Sequence, residues 1–488
     1  MPITGWQALR WSFLGNLARG LSQFLVGVIL ARLLGPEPFG IVALGWMIIG
    51  LGRLFADLGF GAALVQRATL SETDLRYVFT VQTGLGLLLT AAGWLSADAI
   101  AAYFQKPQTA PVLRALFLLF VIVCPGQTAA AMLRRELNFR RVQQVAIASY
   151  LIGYVLVGVP SAWLGYGAWS LVSAQLTQSL LSTCLLLHGT PVPMKPCWRS
   201  DTKGIAGFGM KVMAANLSSW AISYIDTAFV GRAFGVAELG LYSRALSLLN
   251  MPMSIIATGF QGVLFTSCSR QQHDTAKLKT IYLETSTAVA MVCLPLFITA
   301  AAVPATLVLG VYGNKWQAAI PLVPPLALAV LVHVVLAVQG PVLMAANRVG
   351  AELRNQIFTV LIFLPLLWVA AQHALVWTAW AVFAAHVLRW ALLTVATLRL
   401  TGARVQDYAR CFCYPALFGT TVAAVACAVD VCLASIPAFP RLLAVTAAAS
   451  GLSLLLAQQY GAVFLTSHMR SLVSVERLAL PIKRFLHI

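Results

Sequence analysis

The chain has 488 residues, of which 60% are hydrophobic and only 10% charged, with 33 Lys and Arg against 15 Asp and Glu. A soluble domain carries about 25% charged residues, so this composition excludes an ordinary water-soluble fold. A formal charge of +18 would point to nucleic acid in a soluble protein, but here the basic residues sit in short loops between apolar runs, where anionic head groups attract them. Nucleic acid is therefore excluded as a partner.

Fourteen apolar runs are predicted as helices near 10–34, 40–65, 76–103, 110–133, 142–164, 168–188, 204–233, 239–268, 277–303, 318–346, 352–371, 374–399, 411–434 and 440–465. Each approaches the roughly 20 residues a helix needs to cross hydrocarbon, and none shows the short alternation of a barrel strand. The first run is too long for a signal peptide and carries Arg19 inside it, so it reads as a retained crossing. Lys and Arg crowd every second loop: Arg67 and Arg76, then Arg134 to Arg141, Lys195 to Lys211, Arg270 to Lys279, Arg348 and Arg354, and Arg399 to Arg410. The intervening loops hold little beyond Arg32, Lys106, Arg114, Arg232, Lys315 and Arg441. Positive loops stay in the cytoplasm, so both termini are expected there. The fold class is all-α: a polytopic membrane protein of about fourteen transmembrane helices.

The longest polar connection, 189–203, contains Pro191, Pro193 and Pro196 and divides the chain. The expected organisation is an N-terminal six-helix lobe (1–188), this cytoplasmic linker, a second six-helix lobe (204–400), two additional helices (401–465) and a basic cytoplasmic tail (466–488). The halves resemble each other at an offset of 200 residues: Asn16 and Leu17 return as Asn216 and Leu217, and Arg32, Gly35 and Gly40 as Arg232, Gly235 and Gly240. Both halves begin on the same side, which makes a parallel repeat about an axis along the membrane normal, with a cleft between the lobes.

Charged groups within hydrocarbon are costly and mark cavities or partners. Arg19 and Arg53 are the deep cations and the candidates for an anionic head group, because a guanidinium offers fixed bidentate donors to phosphate. Asp57 lies four residues after Arg53, on the same helix face, and pairs with it or tunes it. Arg10, Arg244 and Arg389 are expected to snorkel to an interface, Arg244 to the outer one. Asp226 is either a charge partner across the lobes or a protonatable group for ion coupling. His333 and His386 are weaker titratable candidates. Asn16 and Asn216 line the cleft or join helices. The nine cysteines fit no zinc or disulfide framework, and Cys411 and Cys413 read as small core residues. No GxxxxGK[ST], HExxH or GxSxG motif is present, so no cofactor or metal is expected and the chain is not read as an enzyme.

The strings ARLLGPEPFGIVAL, DLGFGAALVQR, RRELNFR, GYGAWSLV and YIDTAFVGRAFGVAELGLYSRAL resemble the bacterial polysaccharide-specific transporter family. These are Wzx-type repeat-unit flippases of the multidrug/oligosaccharidyl-lipid/polysaccharide exporter superfamily. The resemblance implies two pseudo-symmetric six-helix bundles around a cationic cavity, followed by two further helices. It implies alternating access for an undecaprenyl-pyrophosphate-linked oligosaccharide in exopolysaccharide, capsule or O-antigen synthesis, with membrane lipids and a polysaccharide polymerase complex as partners. On that reading Arg19 and Arg53 bind the pyrophosphate and Asp226 serves gating or coupling. A peptidoglycan lipid II flippase, a cation-coupled multidrug exporter and a scaffold of an assembly complex are the alternatives.

Overall fold

The computed structural model describes residues 5–57, 60, 64, 71–188, 190, 195–197, 205–272, 274–346 and 348–464. The basic tail, most of the 189–203 linker and most of the DLGFG segment lie outside the described residues. The described chain is helical throughout. Its elements are α1 (Gly5–Leu33), α2 (Pro36–Asp57), α3 (Glu72–Tyr103), α4 (Ala110–Arg135), α5 (Phe139–Tyr150), a π-helical stretch (Leu151–Gly158) and α6 (Val159–Trp163). These are followed by α7 (Ala168–His188), α8 (Ile205–Ala233), α9 (Val236–Arg270), α10 (Thr275–Ala302), α11 (Pro304–Tyr312) and a 3₁₀ stretch (Asn314–Leu322). The chain continues through α12 (Val323–Leu336), α13 (Gln339–Ala345), α14 (Val349–Ala371), α15 (Leu375–Thr401), α16 (Val405–Cys432) and α17 (Ala438–Phe464).

Thirteen stretches among the described residues are long and apolar enough to cross a membrane. The expected count of fourteen is not reached on this measure, because α8, with 29 residues, is not among them. The tenth run is not one helix. It enters as a 3₁₀ stretch containing Pro321, becomes α12 and breaks at Ala337 and Val338 before α13. Proline has no N–H to continue the ladder, which favours such an irregular start. Large apolar side chains face outward along many helices, including Leu95 at 82% and Leu417 at 67% exposure. In water such surface is a liability; in lipid it is the expected exterior.

Helix boundaries follow local capping. Ser71 Oγ accepts from Asp74 N at 3.1 Å while Asp74 Oδ2 accepts from Ser71 N at 3.1 Å, a reciprocal box that starts α3. Asn138 Oδ1 accepts from Arg141 N at 3.3 Å to start α5, and Asp274 Oδ1 accepts from Lys277 N at 3.0 Å to start α10. The turn between α6 and α7 uses Gly165 and Gly167 at φ +85° and +55°, a region that side chains other than glycine rarely adopt. Exposed Trp163, Tyr166 and Trp169 flank it, the aromatic signature of a membrane interface.

The chain divides into two compact units. One comprises Met1–Met251, Tyr312–Ala319 and Leu364–Thr378, and the other Pro252–Val311, Ile320–Phe363 and Ala379–Ile488. The division falls inside α9 at Pro252, where the ring removes a ladder hydrogen bond. Leu30, Leu44, Ile49, Leu113, Leu116, Leu239, Tyr242 and Trp316 are fully buried in the first unit; Tyr282 and Phe297 are fully buried in the second.

Within the first unit, the two repeats of the α1–α2 turn meet. A Cβ on Gly40 would lie 1.6 Å from the Val236 carbonyl oxygen, and one on Gly240 would lie 1.9 Å from the Pro36 carbonyl oxygen. Residues 36 and 236, and 40 and 240, are partners at the same offset of 200, so the contact maps onto itself when the repeats exchange. That is the mark of a local two-fold contact, and only glycine permits backbones so close. The same end is fastened by the 3₁₀ stretch. Trp316, fully buried, donates from Nε1 to Ala31 O at 2.8 Å and packs edge-on against Phe39 at 5.6 Å. Lys315 Nζ donates to Leu33 O at 2.8 Å.

Candidate functional site

Behind this fastened end lies a cavity of about 610 Å³, entirely within the first unit. Helical spacing assembles its wall. Gln23 and Gly27 come from one face of α1, Phe39 and Trp46 from α2, and Tyr150 and Tyr154 from the α5–π junction. Ser223, Tyr224 and Thr227 come from α8, and Ser243, Arg244, Ser247 and Asn250 from α9. Residues three or four apart share a helix face, so α8 and α9 turn short polar runs inward while α2 contributes Phe39, Val42, Ala43 and Trp46. Several lining positions are repeat equivalents: Gln23 with Ser223, Gly27 with Thr227, and Ala43 with Ser243. Arg244 breaks that symmetry, because its counterpart Leu44 is a buried core residue.

Arg244 is the cation of this cavity. Its guanidinium carbon lies 4.5 Å from the Phe39 ring centroid, its Nη1 is 3.8 Å from where a Cβ on Gly27 would sit, and its backbone oxygen accepts from Tyr312 OH at 3.3 Å. Its Nε is buried with no hydrogen-bond partner among the described residues. Its charge therefore rests on a ring face (a weak contact, about 0.5–2 kcal/mol) and no carboxylate lines the cavity among the described residues. Arg244, expected to snorkel toward the outer face, turns its guanidinium over Phe39 in the wall of this cavity. Nothing in the local sequence marks it, since its place in the wall depends on Gly27 of α1 and Phe39 of α2 lying beside it.

Asp226 is one residue before cavity-lining Thr227 but is itself buried. Its Oδ2 accepts from Tyr242 OH at 2.5 Å and its Oδ1 from Thr227 N at 2.7 Å. These bonds tie α8 to α9 and direct the carboxylate into protein. Arg53 is placed apart, with its guanidinium carbon 5.4 Å from the Trp46 ring centroid. It lines a separate cleft of about 130 Å³ with Cys124 and Gln127. The side chains of Asp57 and Asn216 lie outside the described residues. Arg19 is exposed and lines neither space. Asn16 Oδ1 accepts from Gln143 Nε2 at 3.0 Å, joining α1 to α5.

His333 and His386, distant in sequence, are brought together in the second unit with Nδ1 of the first 3.0 Å from Nε2 of the second. His386 Nδ1 donates to Val382 O at 2.8 Å, so its Nε2 is the acceptor and His333 Nδ1 the donor. One turn on, Arg389 pairs with Glu352 at 2.9 Å, largely buried, rather than snorkelling to an interface. Cys411 is buried but Cys413 is exposed, so only the former is a core residue.

A family profile described as polysaccharide biosynthesis protein matches residues 29–321, covering the repeat-related turns and every cavity-lining helix except α1, of which only the last residues are included. The chain belongs to this family. Among similar proteins, the lipopolysaccharide biosynthesis protein WzxC of Escherichia coli (strain K12) is 25% identical over 371 residues, 75% of this chain and 75% of WzxC. The succinoglycan biosynthesis transport protein ExoT of Rhizobium meliloti (strain 1021) is 26% identical over 326 residues, 65% of each chain. Among solved structures, the inward closed conformation of the lipid II flippase MurJ superposes with a TM-score of 0.72, covering 93% of this chain and 99% of that one at 12% identity. At that identity the likeness is one of fold. This family member is a multi-pass helical membrane protein with the MurJ fold.

Proposed function

We propose that the protein is a flippase that carries undecaprenyl-pyrophosphate-linked oligosaccharide repeat units across the bacterial inner membrane for exopolysaccharide, capsule or O-antigen synthesis. The observation that carries this reading is the cavity of about 610 Å³ with Arg244 in its wall and no acidic side chain among the described lining residues. A half-buried cation in a wall without a carboxylate favours an anion, and a guanidinium matches phosphate oxygens with parallel donors. The serine, threonine, asparagine and glutamine side chains around it are suited to sugar hydroxyls, and the volume falls in the ordinary range of ligand pockets. Biosynthesis and transport in the names of WzxC and ExoT agree with this assignment.

Alternating access follows from the repeat. The Gly40–Gly240 contact and the Trp316 and Lys315 bonds close one end. On the topology read from the basic loops, with both termini cytoplasmic, that end is periplasmic. Separating two backbones held only by close glycine packing and a few bonds would open it. The proposed organisation remains two six-helix lobes with two added helices, and a polymerase complex as the downstream partner. Arg53 would meet the pyrophosphate before or after Arg244. Asp226, through Tyr242, would keep α8 and α9 moving together.

A cation-coupled drug exporter is the less favoured reading, since a cationic substrate needs a carboxylate in the wall and Asp226 is turned away. The test is the fate of the lipid-linked intermediate in cells lacking the protein, measured by its accessibility to a periplasm-restricted enzyme. Cytoplasmic accumulation relieved by the wild-type chain, and poorly relieved by Arg244→Ala at equal membrane abundance, is expected. Normal accessibility together with lost drug tolerance would replace this reading with the exporter.

A further inference from the structure

Tyr150 and Tyr154 stand where the helix changes type. From Leu151 to Gly158 the chain is π-helical, with each bond spanning one extra residue. In an α-helix residues five apart diverge by about 140°; the wider π turn brings them near one face. Gly153 and Gly158 are five apart and both abut α7 at Ala174. A Cβ on Gly153 would lie 2.6 Å from Ala174 O, and one on Gly158 would lie 2.9 Å from Ala174 Cβ. This close approach locks the wide turn in place.

Beside this contact, Tyr150 and Tyr154 line the cavity. Their rings stack at 4.7 Å between centroids and 22° between planes. Tyr154 OH donates to Gln175 Oε1 at 2.9 Å, and Gln175 Nε2 donates to Ser179 Oγ at 2.9 Å. The hydroxyl of Tyr154 is thus spent on α7, fixing the ring and leaving its carbon surface to the cavity. Trp46 and Tyr224 add further aromatic surface, and Arg244 lies in the same wall.

We propose that the Tyr150–Tyr154 pair is a saccharide-binding platform. A pyranose ring presents a face of C–H groups and a rim of hydroxyls. The face stacks on the aromatic wall, the rim meets Gln23, Ser243 and Asn250, and the anionic end lies toward Arg244. Tyr150 is 5% exposed and Tyr154 is half-buried, yet both line a cavity that also carries Gln23, Ser243, Arg244 and Asn250, and Tyr154 lies on a helix type that recurs at functional sites. The inference rests on the flippase reading and assigns the part of the substrate that this wall recognises.

The test uses the purified full chain in nanodiscs and two probes: undecaprenyl pyrophosphate alone, and the undecaprenyl-pyrophosphate-linked saccharide that accumulates in transporter-deficient cells. The wild-type protein should bind the sugar-bearing lipid about tenfold more tightly than the bare lipid, a difference of about 1.4 kcal/mol. Tyr150→Leu/Tyr154→Leu, which keeps apolar bulk but removes both rings, should abolish that preference. Tyr150→Phe/Tyr154→Phe, which keeps the rings, should retain most of it. Preference surviving in the Leu pair, or lost equally in the Phe pair, overturns the platform and leaves the flippase reading standing. Failure of the wild-type protein to bind either lipid overturns the flippase reading itself.

Discussion

The two units each contain a large hollow, and the larger one is the less informative. The groove of the second unit, about 790 Å³, is walled by Val292, Leu296, Val303, Val422, Val445 and Leu454, with Thr287, Thr446 and Ser450 as scattered hydroxyls. No charged side chain lines it among the described residues, and Thr446 Oγ1 donates back to its own helix at Leu442 O, 2.8 Å away. Hydrocarbon wets such a surface as well as protein does, so it needs no dedicated ligand in a bilayer. The smaller hollow of the first unit contains a guanidinium, four aromatic side chains besides Phe39, and six hydroxyl or amide side chains. Burying that set is unfavourable unless something repays it. Chemistry of the wall, and not volume, separates a site from a seam between helices.

The sharpest way to break this comparison is at the end that encloses the polar hollow. Gly40→Ala and Gly240→Ala should each be severely disruptive, because a new methyl meets a backbone oxygen that has little room to move. Overpacking of this kind typically costs about 1–3 kcal/mol or more. Thermal unfolding of the detergent-solubilised protein should show similar drops for both, since the contact is reciprocal. A harmless Gly240→Ala beside a damaging Gly40→Ala would remove the two-fold account. Next in size is Arg244→Ala, expected to lower export roughly ten- to hundredfold, the equivalent of losing one charge-assisted hydrogen-bond set. Arg244→Lys should fall between, keeping charge without the planar fork.

Arg53→Ala should cost less, on the order of a few-fold, if its main support is the Trp46 ring. Arg19→Ala should cost least of the three, measured by the same lipid-accessibility assay. The reverse ranking would move the anion site away from the described cavity. In the contrasting groove, Ser450→Ala with Ser453→Ala should leave export within about twofold, as for substitutions away from a specific feature. A large loss there would give the apolar hollow a function its composition does not indicate.

The smallest effect concerns pH. The exposed Asp274 carboxyl, outside the membrane spans, is held below the usual carboxylate range chiefly by the Lys277 backbone N–H and then by its ammonium. A carboxyl lowered in the folded state contributes its stability above the unfolded value of about 3.9 and loses it as pH falls through the folded one. The stability difference between wild type and Asp274→Asn should therefore be constant from about pH 5 to 8 and shrink only in stronger acid. A difference that changes near neutrality would show that another titrating group is coupled to this helix start.

Much of the architecture was legible in order. Apolar run length and alternating basic loops gave the crossings, since a backbone in hydrocarbon must satisfy its own hydrogen bonds and a helix is the local way to do so. The 200-residue echo picked out Gly40 and Gly240, and the structure added that they touch. The site was less legible. Arg19 and Arg53 were selected for depth, yet Arg244 lines the main cavity, because depth in sequence does not reveal which side of a helix faces a cavity. The π turn at Leu151–Gly158 was invisible to a 3.6-residue period, although its glycine spacing of five is written in the chain. His333 and His386 read as separate titratable candidates, and only packing shows that a nitrogen of each lies 3.0 Å from the other. The sequence by itself determined the membrane-spanning class, the repeat and the family, which depend on local composition and order. Only the tertiary structure decided which cation, rings and hydroxyls share one wall, because that depends on helix rotation set by side-chain packing between segments far apart in the chain.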